Sequence, residues 1–289
     1  MHLLPSDRLE AFAAVAAEAS FTKGALRIGI TQSAISQRIA KLEEDVGVTL
    51  FLRSRDAARL TAEGEAVLRY ARAREGLESE LLARLGTDDP GREELTGVLR
   101  IAGFSSVTRS VIMPALSPLV ARSEDLTVHA FSRELGELPH LLRSGEADLV
   151  VIDRELADAG VTSIELGTER NVLVAPRNEI VRTRCYLDHD PDDATTERFF
   201  RLNGKTFAHE QRTYLDDIYG ILDGVAQGWG RAVVSAHLIP QFPEIRRIKG
   251  YKPLLTGVFL VTRKSKYRSK LHERVIETLR ANCRKFLDA

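Results

Sequence analysis

Ser20-Phe21-Thr22-Lys23-Gly24-Ala25 and, after five intervening residues, Thr31-Gln32-Ser33-Ala34-Ile35-Ser36-Gln37-Arg38-Ile39 decide how this chain is read. Ser20 and Thr22 offer a cap for a short helix running to Ile28, and Gly29-Ile30 interrupts it. Thr31 is a suitable N-cap for a second helix. In that helix Ile35, Ile39 and Leu42 recur at i, i+4 and i+7 and so face a core. Gln32, Ser33, Ser36, Gln37 and Lys41 are left outside, near the N-terminal end, with Arg38 on a flank. Gln pairs bidentately with adenine, Ser bonds to base edges, and Arg suits guanine or phosphate. A short helix, a tight turn and a second helix with such a face make a helix-turn-helix, whose second helix enters the major groove. A merely solvated helix face is the competing reading.

The flanks support the first reading. Leu9, Phe12, Ala13 and Ala16 give an amphipathic helix upstream. Downstream, Leu50-Phe51-Leu52-Arg53-Ser54-Arg55-Asp56-Ala57-Ala58-Arg59-Leu60-Thr61 reads as two short extended pieces around a polar turn, a wing. Arg53 and Arg55 are placed there for backbone or minor-groove contact. Thr61 caps a long helix from Ala62 to about Leu85, with Val67, Tyr70, Leu77, Leu81 and Leu85 as a broken apolar stripe. Little nearby sequence can bury that stripe. A second copy lying antiparallel would cover it, making a homodimer or, doubled, a homotetramer; docking on its own domain is the alternative.

The quoted residues, with Leu42-Glu43, Gly47, Leu50-Phe51, Arg53, Leu60-Thr61 and Gly64, resemble the N-terminal pattern of the LysR-type transcriptional regulators. Two positions depart from it: Gly24 stands where that family usually has Ala, and Ser33 where Pro is common. Gly24 should soften its helix by ~1 kcal/mol relative to Ala. The resemblance implies that Gln32, Ser36 and Gln37 read bases and that Arg53 is a wing contact. The candidate DNA-contacting set is Thr31, Gln32, Ser33, Ser36, Gln37, Arg38, Lys41, Arg53 and Arg55.

The resemblance extends over nearly the whole chain. It implies an all-α winged helix-turn-helix head (1–61), a linker helix and hinge (62–91) and a two-lobe α/β, periplasmic-binding-protein-like regulatory domain (92–289). Gly86-Thr87-Asp88-Asp89-Pro90-Gly91 marks the break. Short strands around 98–101, 126–130, 149–152, 171–175, 231–234 and 257–262 alternate with helical stretches beyond it. Lobe one takes about 92–152 and 257–289, with a last helix at about 267–287 packing back on it; lobe two takes about 153–256. Ser105 and Ser106, at a helix start after the first strand, are the first choice for an anionic effector group, with plain capping as the alternative. Ser132, Arg133 and Asp153 should face the same cleft, with Phe207, His209 and Thr213 from lobe two. Arg and Asp across one cleft would suit a zwitterion such as an amino acid. Asp188-His189-Asp190-Pro191-Asp192-Asp193 resembles members that sense basic amino acids, and a solvated acidic loop is the other reading.

Other chemistries fail on inspection. His209-Glu210-Gln211-Arg212-Thr213 lacks the second His of a zinc-protease motif. No phosphate loop or nucleophile elbow appears, and the seven histidines lack metal-ligand spacing. No catalytic residue, metal or cofactor is therefore expected. Cys185 and Cys283 read as two ordinary thiols, a redox pair being the alternative, and so few cysteines fit a reducing cytoplasm. The basic run Arg263, Lys264, Lys266, Arg268 and Lys270 reads as the outer face of the last helix. No apolar run nears the ~20 residues of a membrane span, and no signal segment is seen at the start.

The 289 residues carry 41 basic and 41 acidic side chains, a net charge of zero. By segment the net is −2 over 1–91, −8 over 92–245 and +10 over 246–289, and 23–59 is locally +3. Local sign decides phosphate binding, so zero net charge does not exclude DNA. The expected partners are double-stranded DNA with a partly two-fold operator, a small-molecule effector and a further copy of the chain, with RNA polymerase open. The rival readings are a two-lobe solute-binding protein or enzyme without DNA binding, and a constitutive architectural DNA binder.

Overall fold

The computed structural model describes residues 4–52, 58–86, 95–177, 182, 184–207, 210–264 and 268–288. The head opens with α1 (Ser6–Glu18), α2 (Phe21–Arg27) and α3 (Gln32–Val46). Periodicity explains its core: Leu9, Phe12 and Val15 of α1 meet Ile35, Ile39 and Leu42 of α3, and Leu50, Phe51 and Leu68 close the cluster. The head is not wholly helical, because two-residue strands β1 (Phe51–Leu52) and β2 (Arg59–Leu60) pair antiparallel. Arg53 and Arg55, between them in sequence, lie outside the described residues.

The long helix α4 spans Ala62–Gly86. Of its apolar stripe, Val67 packs against the head core. Tyr70, Leu77 and Leu81 stand 44%, 56% and 55% exposed, so the described residues leave about half of each uncovered.

Beyond the linker, β3 (Gly97–Gly103), β4 (Leu126–Ser132) and β5 (Leu149–Ile152) run parallel in the order β4-β3-β5. β5 is covered on both faces and reads as a continuous apolar run, whereas β4, at the sheet edge, leaves Thr127, His129, Ala130 and Ser132 exposed. In β5, Leu149 and Val151 enter one core while Val150 and Ile152 enter the other. Between β3 and β4 the chain is helical from Ser105 to Val120: α5 (Ser105–Val107), a π turn (Thr108–Ile112) and α6 (Met113–Val120). After β4 comes α7 (Leu138–Ser144).

Two long strands carry the sheet out of lobe one. β6 (Val161–Pro176) and β11 (Leu254–Arg263) pair antiparallel from Val161↔Arg263 to Asn171↔Leu254. The far end of β6 then pairs β9 (Ala232–Ser235) and β10 (Ile245–Arg247) in lobe two. The rest of lobe two is a parallel pair, β7 (Cys185–Asp188) and β8 (Gln211–Tyr214), with α8 (Thr195–Leu202), α9 (Ile218–Ala226) and a 3-10 turn (Ala236–Gln241). The last helix, α10 (Lys270–Leu287), buries Leu271, Val275, Ile276, Leu279, Cys283 and Leu287 in the core of lobe one. Of the basic run before it, Arg263 ends β11 and donates to the carbonyl of Leu142, 3.2 Å away, instead of lying on that helix. No helix among the described residues is long and apolar enough to cross a membrane.

Candidate DNA-reading head and effector cleft

Local chemistry sets the angle between α2 and α3. Ser20 and Thr31 each cap the helix that follows, accepting from the amides of Lys23 and Ala34. With Ile35, Ile39 and Leu42 inside, Thr31, Gln32, Ser33, Gln37 and Lys41 are exposed, and Ser36 is half-buried. The exposed residues form a polar network of their own: Thr31 Oγ1 lies 3.0 Å from Ser33 Oγ, and Gln32 Nε2 donates to Ser36 Oγ at 3.3 Å. Those bonds tie the polar side chains to one another at the helix start. Arg38 differs, since it turns to α1 and pairs with Asp7 at 3.6 Å.

The start of the wing is fixed from α3. Glu43 Oε1 accepts from the amides of Leu50 at 2.6 Å and Phe51 at 3.4 Å. Thr61 ties the wing's far side to α4: its hydroxyl donates to Thr49 O at 2.8 Å and accepts from the amide of Gly64 at 2.9 Å. A Cβ on Gly64 would stand 2.1 Å from Leu50 O, so only glycine permits this approach.

In the sensor, register brings five of the expected effector residues to one edge. β3 and β4 end together at Gly103↔Ser132, and β5 pairs Val151 with Gly103. Ser105 and Ser106, Ser132 and Arg133, and Asp153 therefore follow the C-terminal ends of three parallel strands, the edge where open α/β sheets bind ligands. Ser105 and Asp153 are half-buried, whereas Ser132 and Arg133 are exposed. Arg133 donates to Ser132 O, and Asp153 pairs with its neighbour Arg154 at 3.0 Å.

The lobe-two residues are not gathered there. Phe207 stacks on Phe200 with ring centroids 5.4 Å apart and meets Tyr186 edge-on, inside an aromatic core. Thr213 Oγ1 lies 3.4 Å from Cys185 Sγ. His209 lies outside the described residues. The acidic loop is wired mainly to itself. Asp188 is buried and binds Arg212 Nε at 2.6 Å, while Arg212 Nη2 reaches the carbonyl of Asp193 at 2.5 Å. Burial outweighs these partners and holds the Asp188 carboxyl above its usual range. From this loop His189 reaches lobe one, 3.8 Å from Glu134. A groove of about 480 Å³ is lined by Arg198, Arg201, Leu202 and Leu254, none of them an expected effector residue.

What the sequence did not reveal is a buried polar cluster around Glu169 of β6. Ser106 donates to Glu169 Oε1 at 3.2 Å, Ser235 Oγ lies 2.8 Å from it, and His237 Nε2 lies 2.8 Å from it. His237 Nδ1 lies 3.0 Å from Ser110 Oγ. Serine, histidine and carboxylate in line have the connectivity of a nucleophile relay. Here, however, Ser110 is 8% exposed and its hydroxyl also bonds the carbonyl of Ser106. Little in the sequence signals it, since Glu169 is one of several polar residues along β6 and His237 is a lone histidine in the turn after β9.

Comparison with known proteins matches this architecture along its length. Residues 6–65 match the model of the bacterial regulatory helix-turn-helix protein, lysR family, and residues 92–284 match that of the LysR substrate binding domain. A probable hydrogen peroxide-inducible genes activator from Mycobacterium xenopi is 33% identical over 169 residues, 58% of this chain and 87% of that one. The regulator ShiR from Corynebacterium glutamicum is 33% identical over 172 residues, and the aligned segment spans 57% of its length. Among solved structures, ArgP from Mycobacterium tuberculosis superposes with TM-score 0.73 at 24% identity, covering 97% of each chain. Full-length LysG from Corynebacterium glutamicum with the effector Arg bound gives 0.68 at 21%, covering 96% of this chain and 97% of that one. At such identities the superpositions show the fold, and the family models show the kinship: the chain belongs to the LysR family of transcriptional regulators, DNA-binding proteins controlled by small-molecule effectors.

Proposed function

We propose that residues 1–61 read a partly two-fold DNA operator, that 62–91 join two copies of the chain, and that 92–289 form a periplasmic-binding-protein-like sensor with an effector between its lobes. The observation that carries this reading is the start of α3, where Gln32, Ser33, Gln37 and Lys41 stand exposed while Ile35, Ile39 and Leu42 anchor the opposite side. Its site of action is the cytoplasm, where bacterial DNA lies, and it works without catalysis. Replacing Gln32 or Gln37 by Ala should cost ~1–3 kcal/mol of base discrimination and leave nonspecific affinity unchanged. Equal losses on operator and random DNA, in titrations at one salt concentration, would remove these residues as readers.

A second reading concerns the effector. Hydroxyls of Ser105 and Ser132, the guanidinium of Arg133 and the carboxylate of Asp153 share one sheet edge, offering both signs of charge to a small zwitterion. LysG, which shares the fold at 21% identity, holds Arg as its bound effector. We therefore favour an amino acid as effector over an aromatic acid. Thermal shift against a panel of both classes tests this, since a true effector raises the melting point with its occupancy.

A further inference from the structure

The cluster on Glu169 joins parts of the chain that belong to different lobes. Ser106 and Ser110 lie on the helix that follows β3 in lobe one. Ser235 ends β9 and His237 lies in the 3-10 turn of lobe two. Glu169 and Asn171 lie on β6 opposite Thr256 and Leu254 of β11, where the two long strands pass from one lobe to the other. Asn171 extends the cluster to Thr256, with Nδ2 donating at 3.2 Å, and its Oδ1 lies 3.1 Å from Ser235 Oγ.

Glu169 is 4% exposed and His237 5%. A carboxylate at such depth persists only when donors surround it, and here three do. Both ring nitrogens of His237 are engaged, one on Glu169 and the other on Ser110. Ser110 itself sits in the π turn Thr108–Ile112, an irregularity that recurs at functional sites. One further contact crosses the same gap: the Arg109 guanidinium lies 4.1 Å over the ring of Tyr219 on α9.

We infer that Glu169 and His237 are positioning residues that set the angle between the lobes when no effector is bound, through the bond from His237 Nδ1 to Ser110 Oγ. The inference rests on reading 92–289 as a hinged sensor. The chemistry explains why a rigid polar group was placed at the hinge. Apolar contacts tolerate sliding, but a buried carboxylate with three donors has one good geometry, and leaving it exposes unpaired polar atoms. Lobe movement must therefore break or rebuild this cluster as a unit, which makes the hinge two-state.

The test measures the lobes directly, without effector or DNA, so that it stands apart from whether the effector is an amino acid. Spin labels go on Glu124→Cys in lobe one and Asp216→Cys in lobe two of the full chain; both positions are exposed, while native Cys185 and Cys283 are buried. Dilution with unlabelled protein isolates distances within one chain. The parent should give one narrow distance. Glu169→Gln and His237→Gln should each raise a second distance from the ~0.1–10% of an ordinary minor state to a comparable share. Ser110→Ala, which keeps the carboxylate and removes only the cross-lobe hydroxyl, should do the same in a chain that still folds. The pair Glu169→Gln/His237→Gln should shift the distribution no further than either single change, since both act through one cluster. An unchanged distance in folded Ser110→Ala, with melting temperature alone lowered in the others, would reduce the cluster to ordinary core and overturn the inference.

Discussion

At Gly24 the general helix propensity and the local packing oppose each other. Alanine there should add ~1 kcal/mol of helix propensity. Yet a Cβ at Gly24 would stand 2.9 Å from the backbone N and Cα of Val15 and 3.0 Å from its Cγ2. Backbone atoms of a neighbouring helix cannot swing aside as a flexible side chain would, and overpacking of this kind typically costs ~1–3 kcal/mol. Gly24→Ala is therefore expected to lower the melting temperature of the head, and a rise would show that α1 and α2 part freely. A similar locality governs the thiols. Cys185 sits in a lobe-two core and Cys283 in the lobe-one core, and burial pushes the Cys283 thiol up to about 12. The thiolate is the reactive form, so burial disfavours reaction at Cys283. Residues such as Ile35 and Ile39 were legible because their partners follow from helical spacing. Glu169 was not, because its bonds reach 63 to 68 positions along the chain.

Elements were legible wherever one period dominates. The long helix α4, the apolar runs of β3, β4 and β5, and the caps at Ser20 and Thr31 all follow from pattern alone. How α4 docks does not. Arg69 of α4 donates to the carbonyl of Arg143 at 2.8 Å, and Arg263 donates to that of Leu142. Both carbonyls belong to the last turn of α7, where they lack helical partners and carry the negative end of the helix dipole. Gly145 makes room: its φ is +78°, and a Cβ would stand 2.8 Å from Arg69 Cγ. A second tie runs from Arg100 of β3 to Glu75 of α4, 3.9 Å apart. Between them, burial and the nearby Arg100 charge pull the Arg72 guanidinium down to about 10. This joint links α4 and the sensor within one chain, through arginines of which only Arg263 is singled out by sequence pattern, and that on the last helix. Arg69→Ala should speed hydrogen exchange at the end of α7 and in the first half of α4, while β5 and α3 keep their protection. Uniform exchange across α4 in both proteins would show that the joint holds without Arg69.

For the whole molecule, the zero net charge hides a division of labour. Residues 23–59 are locally +3 while the sensor segment 92–245 is −8, so bulk attraction to DNA is weak and affinity must come from a small patch used more than once. We propose that the uncovered face of α4 supplies the doubling. Tyr70, Leu77 and Leu81 fall at i, i+7 and i+11 on one 25-residue helix, each more than two-fifths exposed. Large apolar side chains aligned this way mark an interface, and an antiparallel copy would cover them and set two heads at opposite ends of the pair. Two heads on one operator bind with an effective concentration that raises avidity by about 10² to 10⁴ over one head. Leu77→Arg/Leu81→Arg should therefore give a 32.1 kDa monomer by sedimentation, with helical content unchanged. Its affinity for a full operator should fall by about that factor, while its affinity for a single half-site stays the same. If the variant keeps both the parental mass and full-operator affinity, the stripe does not hold the copies together, and the doubling has to come from another surface.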